Sequence, residues 1–211
     1  YTRFQSSYKR LLIKRVMDIA GGLVGLLITM VFFPFVALAI KLDSPGPVMF
    51  SQIRIGRNGR RFKIYKFRSM YIDAEERKKE LEGQNEIQGL MFKIENDPRI
   101  TRVGKFIRKT SIDELPQLFN IIKGDMSLVG PRPERPHFVE KFREEIPRYM
   151  VKHQVRPGLT GWAQVNGYRG DTSITKRIEC DLYYIENWSL GLDFKIIFLT
   201  FFKGFINKNA Y

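Results

Sequence analysis

Asp113 and Glu114 stand side by side directly behind a cationic run that holds Arg99, Arg102, Lys105, Arg108 and Lys109. An ionised Asp, a neighbouring Glu and clustered Arg and Lys are the parts for phosphoryl transfer through a covalent aspartyl intermediate. Mg2+ in such a site would sit on the carboxylate oxygens. The same residues also fit a purely structural use. Residues 111–114 read Ser-Ile-Asp-Glu, a capping box in which Glu114 bonds back to the cap. Pro116 suits a helix start at Asp113 better than one at Ser111, because proline is best tolerated in the first turn. Either start puts both carboxylates at a helix N-terminus, where the macrodipole favours an ionised Asp113 and would also favour a bound phosphate. Further on, Arg132 lies between Pro131 and Pro133. Two fixed φ angles present it on a stiff backbone as a fork for phosphate, although a plain structural turn explains the same residues.

The elements that must position these groups begin with an apolar segment. Residues 21–40 (GGLVGLLITMVFFPFVALAI) are twenty uncharged residues closed by Lys41. Twenty apolar residues at about 1.5 Å each match the thickness of a bilayer core, with a buried helix of a soluble protein as the alternative. Five cations and no acid occupy the first seventeen residues, and Lys41 and a cationic domain follow the run. Cations favour the cytoplasmic side, so both ends favour the same face. Pro34 deletes a backbone hydrogen bond inside the run. These features together predict a re-entrant helical hairpin broken at Pro34 rather than a full span.

Ser-Pro-Gly-Pro at residues 44–47 ends the helix and marks the exit. Residues 48–55 and 61–67 are β-prone around Gly-Arg-Asn-Gly, and Asn58-Gly59 is a hairpin turn signal. Between residues 44 and 70 there are seven cations, Lys66 among them, and no acid. Such a stretch is either a solvated strand face or a surface laid against headgroups or phosphates. Residues 73–83 read as a charged helix with Gly at its end, and residues 83–96 as a loop with an apolar tip at residues 90–92. The Gly-rich, aromatic stretch 156–167 could contact a base or a sugar, or be a structural loop. Phe194, Ile197, Phe198, Phe201, Phe202 and Phe205 share one helical face, as in an interfacial helix, with core packing as the alternative.

Composition bounds the chemistry. The 211 residues carry 36 Lys and Arg against 22 Asp and Glu, a net charge of +14, which calls for an anionic partner. One Cys excludes an internal disulfide, and with two His it leaves too few soft ligands for zinc, so any metal should be carboxylate-bound. His137 and His153 suggest no shared site. The chain starts at Tyr1 rather than Met and reads as a fragment.

Residues 41–70, 97–133, 156–170 and 181–211, in that order, resemble the bacterial sugar transferase family. Its members are monotopic polyprenyl-phosphate hexose-1-phosphate transferases, and the subgroup resembled is the undecaprenyl-phosphate glucose phosphotransferases. The resemblance implies transfer of a sugar-1-phosphate from a UDP-sugar to undecaprenyl phosphate, with release of UMP, as a first membrane step of exopolysaccharide synthesis. It implies Asp113 as nucleophile, Glu114 as a Mg2+ ligand beside it, and Arg108 and Arg132 as phosphate contacts, with Lys66 a further basic position. The family helix is usually broken at Ser-Pro, whereas here the pair is Phe33-Pro34. In many relatives this domain follows a membrane bundle and a soluble domain, in keeping with a fragment.

The expected fold is α+β and mostly helical: a re-entrant membrane hairpin, a small β-hairpin and interfacial helices around a cytoplasmic catalytic domain. Residues 1–42 would form the basic segment and membrane helix, and residues 43–211 the catalytic domain. The expected partners are a UDP-sugar, undecaprenyl phosphate and membrane lipids of the bacterial inner membrane, with no nucleic acid; a homo-oligomer is left open. Two other classes fit the charge. A nucleic-acid-binding module would need a recognition motif, which is not seen. A non-catalytic membrane scaffold would not need Asp113-Glu114 beside a cationic run.

Overall fold

The computed structural model describes residues 8–80, 97–168 and 173–204. The apolar run forms the middle of α1 (Tyr8–Asp43), a 36-residue helix that continues through Pro34. The proline removes one hydrogen bond without ending the helix. Only 11% of its most apolar window is buried, whereas the core helix of a soluble protein would be mostly buried.

One face of α1 lies on the rest of the chain. Its N-terminal turns are fixed by polar contacts. Lys14 Nζ donates to Asp193 Oδ2 at 2.7 Å and to the Val129 carbonyl at 3.1 Å. Arg15 donates to the carbonyls of Ile121 and Ile122, both at 2.7 Å. Asp18 Oδ1 accepts from Ser127 Oγ and Leu128 N, both at 2.9 Å. Gly25 lets the helices touch: a methyl carbon there would stand 2.7 Å from Leu118 Cδ1. At the far end Ile40 packs with Phe67 and Ile107, and Asp43 Oδ2 accepts from Val103 N at 2.8 Å.

The segment after α1 is held by Arg68. Its guanidinium donates to Ser44 Oγ at 2.8 Å and to the carbonyls of Ser44, Pro45 and Pro47 at 2.9, 2.9 and 2.6 Å. The expected β-hairpin follows. Strands β1 (Met49–Ile55) and β2 (Arg61–Phe67) pair antiparallel from Met49↔Phe67 to Ile55↔Arg61. Asn58 takes the left-handed conformation at the turn, φ 57°, which Asn tolerates better than most residues. Next come α2 (Ala74–Glu80) and α3 (Arg102–Lys109), the latter capped by Thr101. The predicted helix over 73–83 is described only as far as Glu80, and the loop over 83–96 lies outside the described residues.

A second sheet was not anticipated by the sequence. After α4 (Gln117–Lys123), strand β3 (Ser127–Val129) pairs in parallel with β4 (Gly158–Thr160). Between them lie the Pro-Arg-Pro segment and α5 (Pro136–Glu145). Three helices close the chain: α6 (Trp162–Val165), α7 (Ile174–Glu186) and α8 (Leu190–Gly204). On α8, Ile196 and Asp193 are buried, while Phe194, Phe198, Phe201 and Phe202 are exposed. Phe205 lies outside the described residues. Among the described residues the architecture is thus mostly helical, with two small sheets and one long apolar helix.

Candidate active site

Asp113 and Glu114 do not begin a helix. Ser111 is left-handed, φ 58°, and makes no side-chain cap bond, so the capping box does not form. The acids instead occupy a 3₁₀ turn, Ile112–Glu114, and α4 starts three residues after Glu114. The helix-terminus argument therefore does not apply to them. What the turn achieves is burial: Asp113 is 3% exposed and Glu114 4%.

Two buried carboxylates need compensating charge, and it arrives from distant parts of the chain. Lys66, near the end of β2, donates to Glu114 Oε1 at 2.9 Å and stands 3.7 Å from Asp113 Oδ2. Arg132, on the loop between β3 and α5, donates to the same Glu114 oxygen at 2.7 Å. The position of that loop depends on a glycine crossing. Gly130 N donates to Thr160 O and Gly158 N to Pro131 O, each at 2.9 Å, and a methyl group on Gly158 would overlap the Gly130 backbone.

Asp113, Lys66, Arg132 and Arg108 line one cleft of about 520 Å3. Four of the five site residues named from the sequence around the acids thus share a cavity, and the fifth, Glu114, is bonded to two of them. Pro34 is elsewhere, in the middle of α1. The cleft lining includes eight Arg or Lys side chains against three acids. Some of those cations are already committed: Arg68 to the exit segment, and Arg99 to Asp97, at 2.6 Å. The Pro-Arg-Pro arginine is no isolated turn feature, since it reaches the acid pair.

Arg54, Glu134 and Arg177 are among the cleft residues that were not singled out from the sequence. Arg54 was one of the counted cations of the hairpin. Glu134 follows the Pro-Arg-Pro segment directly, and Arg177, a turn into α7, carried no local signal. Burial pushes the Glu134 carboxyl up, but the positive charges of Arg177, Lys152, Arg54 and Arg132 outweigh it and hold it below the ordinary range. The Gly-rich stretch expected as a base or sugar contact forms β4 and α6, with Trp162 stacked on Tyr183 at 5.7 Å between ring centres. None of its residues is among those lining the cleft. His137 is exposed, and His153 is buried against Tyr149.

Among the described residues no group of three or more His, Cys, Asp or Glu converges as a metal site. The pair Asp113 and Glu114 still suits Mg2+, which takes one or two carboxylates and completes its shell with substrate phosphates and water.

A paired-carboxylate cleft whose charged lining is mostly positive, on a chain with a long apolar helix, is the architecture that marks the class. Comparison with known families gives the class a name. The sequence model described as bacterial sugar transferase matches residues 9–207, and the chain belongs to that family. It is 48% identical over 204 residues to the UDP-glucose:undecaprenyl-phosphate glucose-1-phosphate transferase of Escherichia coli (strain K12), covering 95% of this chain and 42% of that protein. It is 51% identical over 190 residues to the UDP-N-acetylgalactosamine-undecaprenyl-phosphate N-acetylgalactosaminephosphotransferase of Aeromonas hydrophila, covering 89% and 42%. It is 44% identical over 211 residues to the exopolysaccharide production protein PSS of Rhizobium leguminosarum bv. phaseoli, covering 92% and 99%. The chain thus spans about two fifths of the first two relatives and nearly the whole of the third.

Proposed function

We propose that the protein is a phosphoglycosyl transferase. It moves a hexose-1-phosphate, with glucose-1-phosphate the first candidate, from a UDP-sugar to undecaprenyl phosphate and releases UMP. The reaction would begin exopolysaccharide or capsule synthesis at the cytoplasmic face of the bacterial inner membrane. The observation that carries the reading is the adjacent pair of buried carboxylates, held by Lys66 and Arg132, at a cleft whose charged lining is mostly cationic.

In the first step a carboxylate oxygen of Asp113 attacks the sugar-linked phosphorus. The bond from that phosphorus to UMP breaks, and UMP takes the electron pair. In the second step an oxygen of the lipid phosphate attacks the same phosphorus and the bond to Asp113 breaks, restoring the carboxylate. The two displacements alternate at one phosphorus, which is ping-pong chemistry. Glu114 keeps Lys66 and Arg132 in place, and these cations, with Arg108, offset charge on the phosphoryl oxygens. Asp113 and Glu114 would hold Mg2+, which when bound neutralises charge on the phosphate oxygens.

The membrane helix fits this reading as a re-entrant element. Lys14, Arg15 and Asp18 near one end of α1, and Asp43 at the other, all bond to the same folded domain. A helix tethered in this way can enter and leave the bilayer by one face. The exposed rings of Phe194, Phe198, Phe201 and Phe202 support α8 as an interfacial helix on the same membrane.

The test is UMP release by detergent-solubilised protein given undecaprenyl phosphate and a panel of UDP-sugars, which also identifies the sugar. With UDP-sugar alone, intact mass should show one hexose-phosphate adduct. Asp113→Asn should lose both the adduct and UMP release by at least about a thousandfold. Equal UMP release by wild type and Asp113→Asn would remove Asp113 as nucleophile.

A further inference from the structure

A second group of cations lies on the side of the cleft formed by β1, the Pro-Arg-Pro segment and α7. The end of β1 is joined to that segment by two bonds. Ile55 N donates to the Glu134 carbonyl at 3.0 Å, and Arg54 Nη1 donates to the Pro133 carbonyl at 3.2 Å. This brings Arg54 and Arg132 to the Glu134 carboxylate, and α7 adds Arg177, whose Nη2 stands 3.1 Å from Glu134 Oε1. Glu134 is 5% exposed and Arg177 4%.

Lys152 and the buried Asp181, 3.0 Å apart, complete the cluster, and Arg132 is shared with Glu114, so Arg54 is the cation there with no carboxylate of its own among the ion pairs of the described residues. If the cluster only braced the Pro-Arg-Pro loop, the Arg177–Glu134 pair would suffice, and further arginines would add repulsion. Arg54 bears that repulsion: its guanidinium is pushed down to about 10, first by burial and then by Arg132 and Arg135, against the pull of Glu134. Two donors are also unused. Among the described residues the Nε groups of Arg54 and Arg177 meet no hydrogen-bond acceptor, although both side chains line the cleft. Buried donors of this kind cost stability unless a ligand completes them.

We propose that Arg54 and Arg177 form a second phosphate subsite, which holds the phosphate that is not transferred, that of the departing nucleoside monophosphate. The inference rests on the reading of the donor as a nucleoside diphosphate sugar. When the bond from the attacked phosphorus breaks, the electron pair and the new negative charge appear on the oxygen of the leaving phosphate. Guanidinium groups fixed beside that oxygen stabilise it, and charge-assisted bonds are the strong ones. Lys66, Arg108 and Arg132 then serve the transferred phosphate, and the cleft divides into two anion positions. Glu134 is a positioning residue that orients Arg177.

Equilibrium binding of UMP and of uridine to wild type, Arg54→Gln and Arg177→Lys tests this, with thermal unfolding to show that each variant is folded. Both variants should bind UMP roughly tenfold more weakly, the effect of one lost charge-assisted bond, and uridine as well as wild type. In turnover, KM for the UDP-sugar should rise and KM for the lipid phosphate should not. Unchanged UMP affinity in folded variants, or a wild type that does not bind UMP, overturns the subsite. Failure of the functional reading shows separately, as wild type that binds UMP yet releases none from any UDP-sugar.

Discussion

The ammonium of Lys14 and the carboxylate of Asp193 meet at 2.7 Å although 179 residues separate them. Asp193 is also bonded to the Tyr184 hydroxyl at 2.7 Å and the Trp188 indole at 3.1 Å, so α1 and α8 share one buried polar knot. The N-terminal turns of the apolar helix are therefore part of the folded domain.

That knot, with Asp43 bound at the other end, predicts a one-sided topology. Single cysteines replacing Tyr8 and Leu42, both strongly exposed, should be introduced in a Cys180→Ser background. In intact cells neither should react with an impermeant maleimide, and both should react after permeabilisation. Labelling of one end alone from outside would mean a full span.

Lys66 and Arg132 share a single oxygen of Glu114, so their contributions should not add. Glu114→Gln and Arg132→Met should each slow UMP release by more than tenfold. The double variant should lose less than the product of the two, a coupling of roughly 1–2 kcal/mol. A cycle that closes additively would mean that the carboxylate and guanidinium act apart.

His153 gives an acid-side instability. Burial, then the charge of Lys152, pushes its imidazole down to about 4 from the ordinary 6.5, so it stays neutral in the fold. An unfolded chain takes up that proton below about 6.5 while the folded one does not. Stability from this group is therefore complete above about 6.5 and falls as pH drops towards 4, by up to about 3 kcal/mol. Unfolding temperatures followed from pH 7 to 5 should fall less steeply in His153→Phe than in wild type. Parallel curves would assign the loss to other groups.

At Gly158 a methyl group would overlap the Gly130 backbone, one residue from the Pro-Arg-Pro segment. Gly158→Ala should lower stability by about 1–3 kcal/mol and reduce turnover through displaced Arg132. Gly191→Ala, whose nearest atom would be 3.9 Å away, should change neither. If the two variants behave alike in unfolding and turnover, the crossing does not govern the site.

The hairpin was legible because its information is local: two β-prone runs around an Asn-Gly turn signal mark β1 and β2, while their register, Ile55 opposite Arg61, is set by the five-residue connection between them. The acid pair and its neighbouring arginines were legible for a similar reason, as an unusual local concentration of charge. The 3₁₀ turn was not, because a Ser-x-x-Glu pattern encodes a capping box and only packing makes Ser111 left-handed. The parallel pairing of β3 with β4 joins segments about thirty residues apart that are three residues long. Strands so short leave no periodic trace. Glu134 and Arg177 are 43 positions apart, and Arg54 lies still further from both, so nothing in their own surroundings announced the cluster.

Arg68 has a geometric consequence. Four hydrogen bonds tie its guanidinium to the chain where α1 ends, and Lys66, two residues earlier on the same strand edge, grips the acid pair. The stretch from that anchor to Asp113 is therefore short and tied at both ends. It fixes the height of Asp113 relative to α1 and, under the proposed function, relative to the membrane. Under the same proposal a lipid-linked phosphate, whose own height is set by its buried tail, would reach the site by lateral diffusion alone.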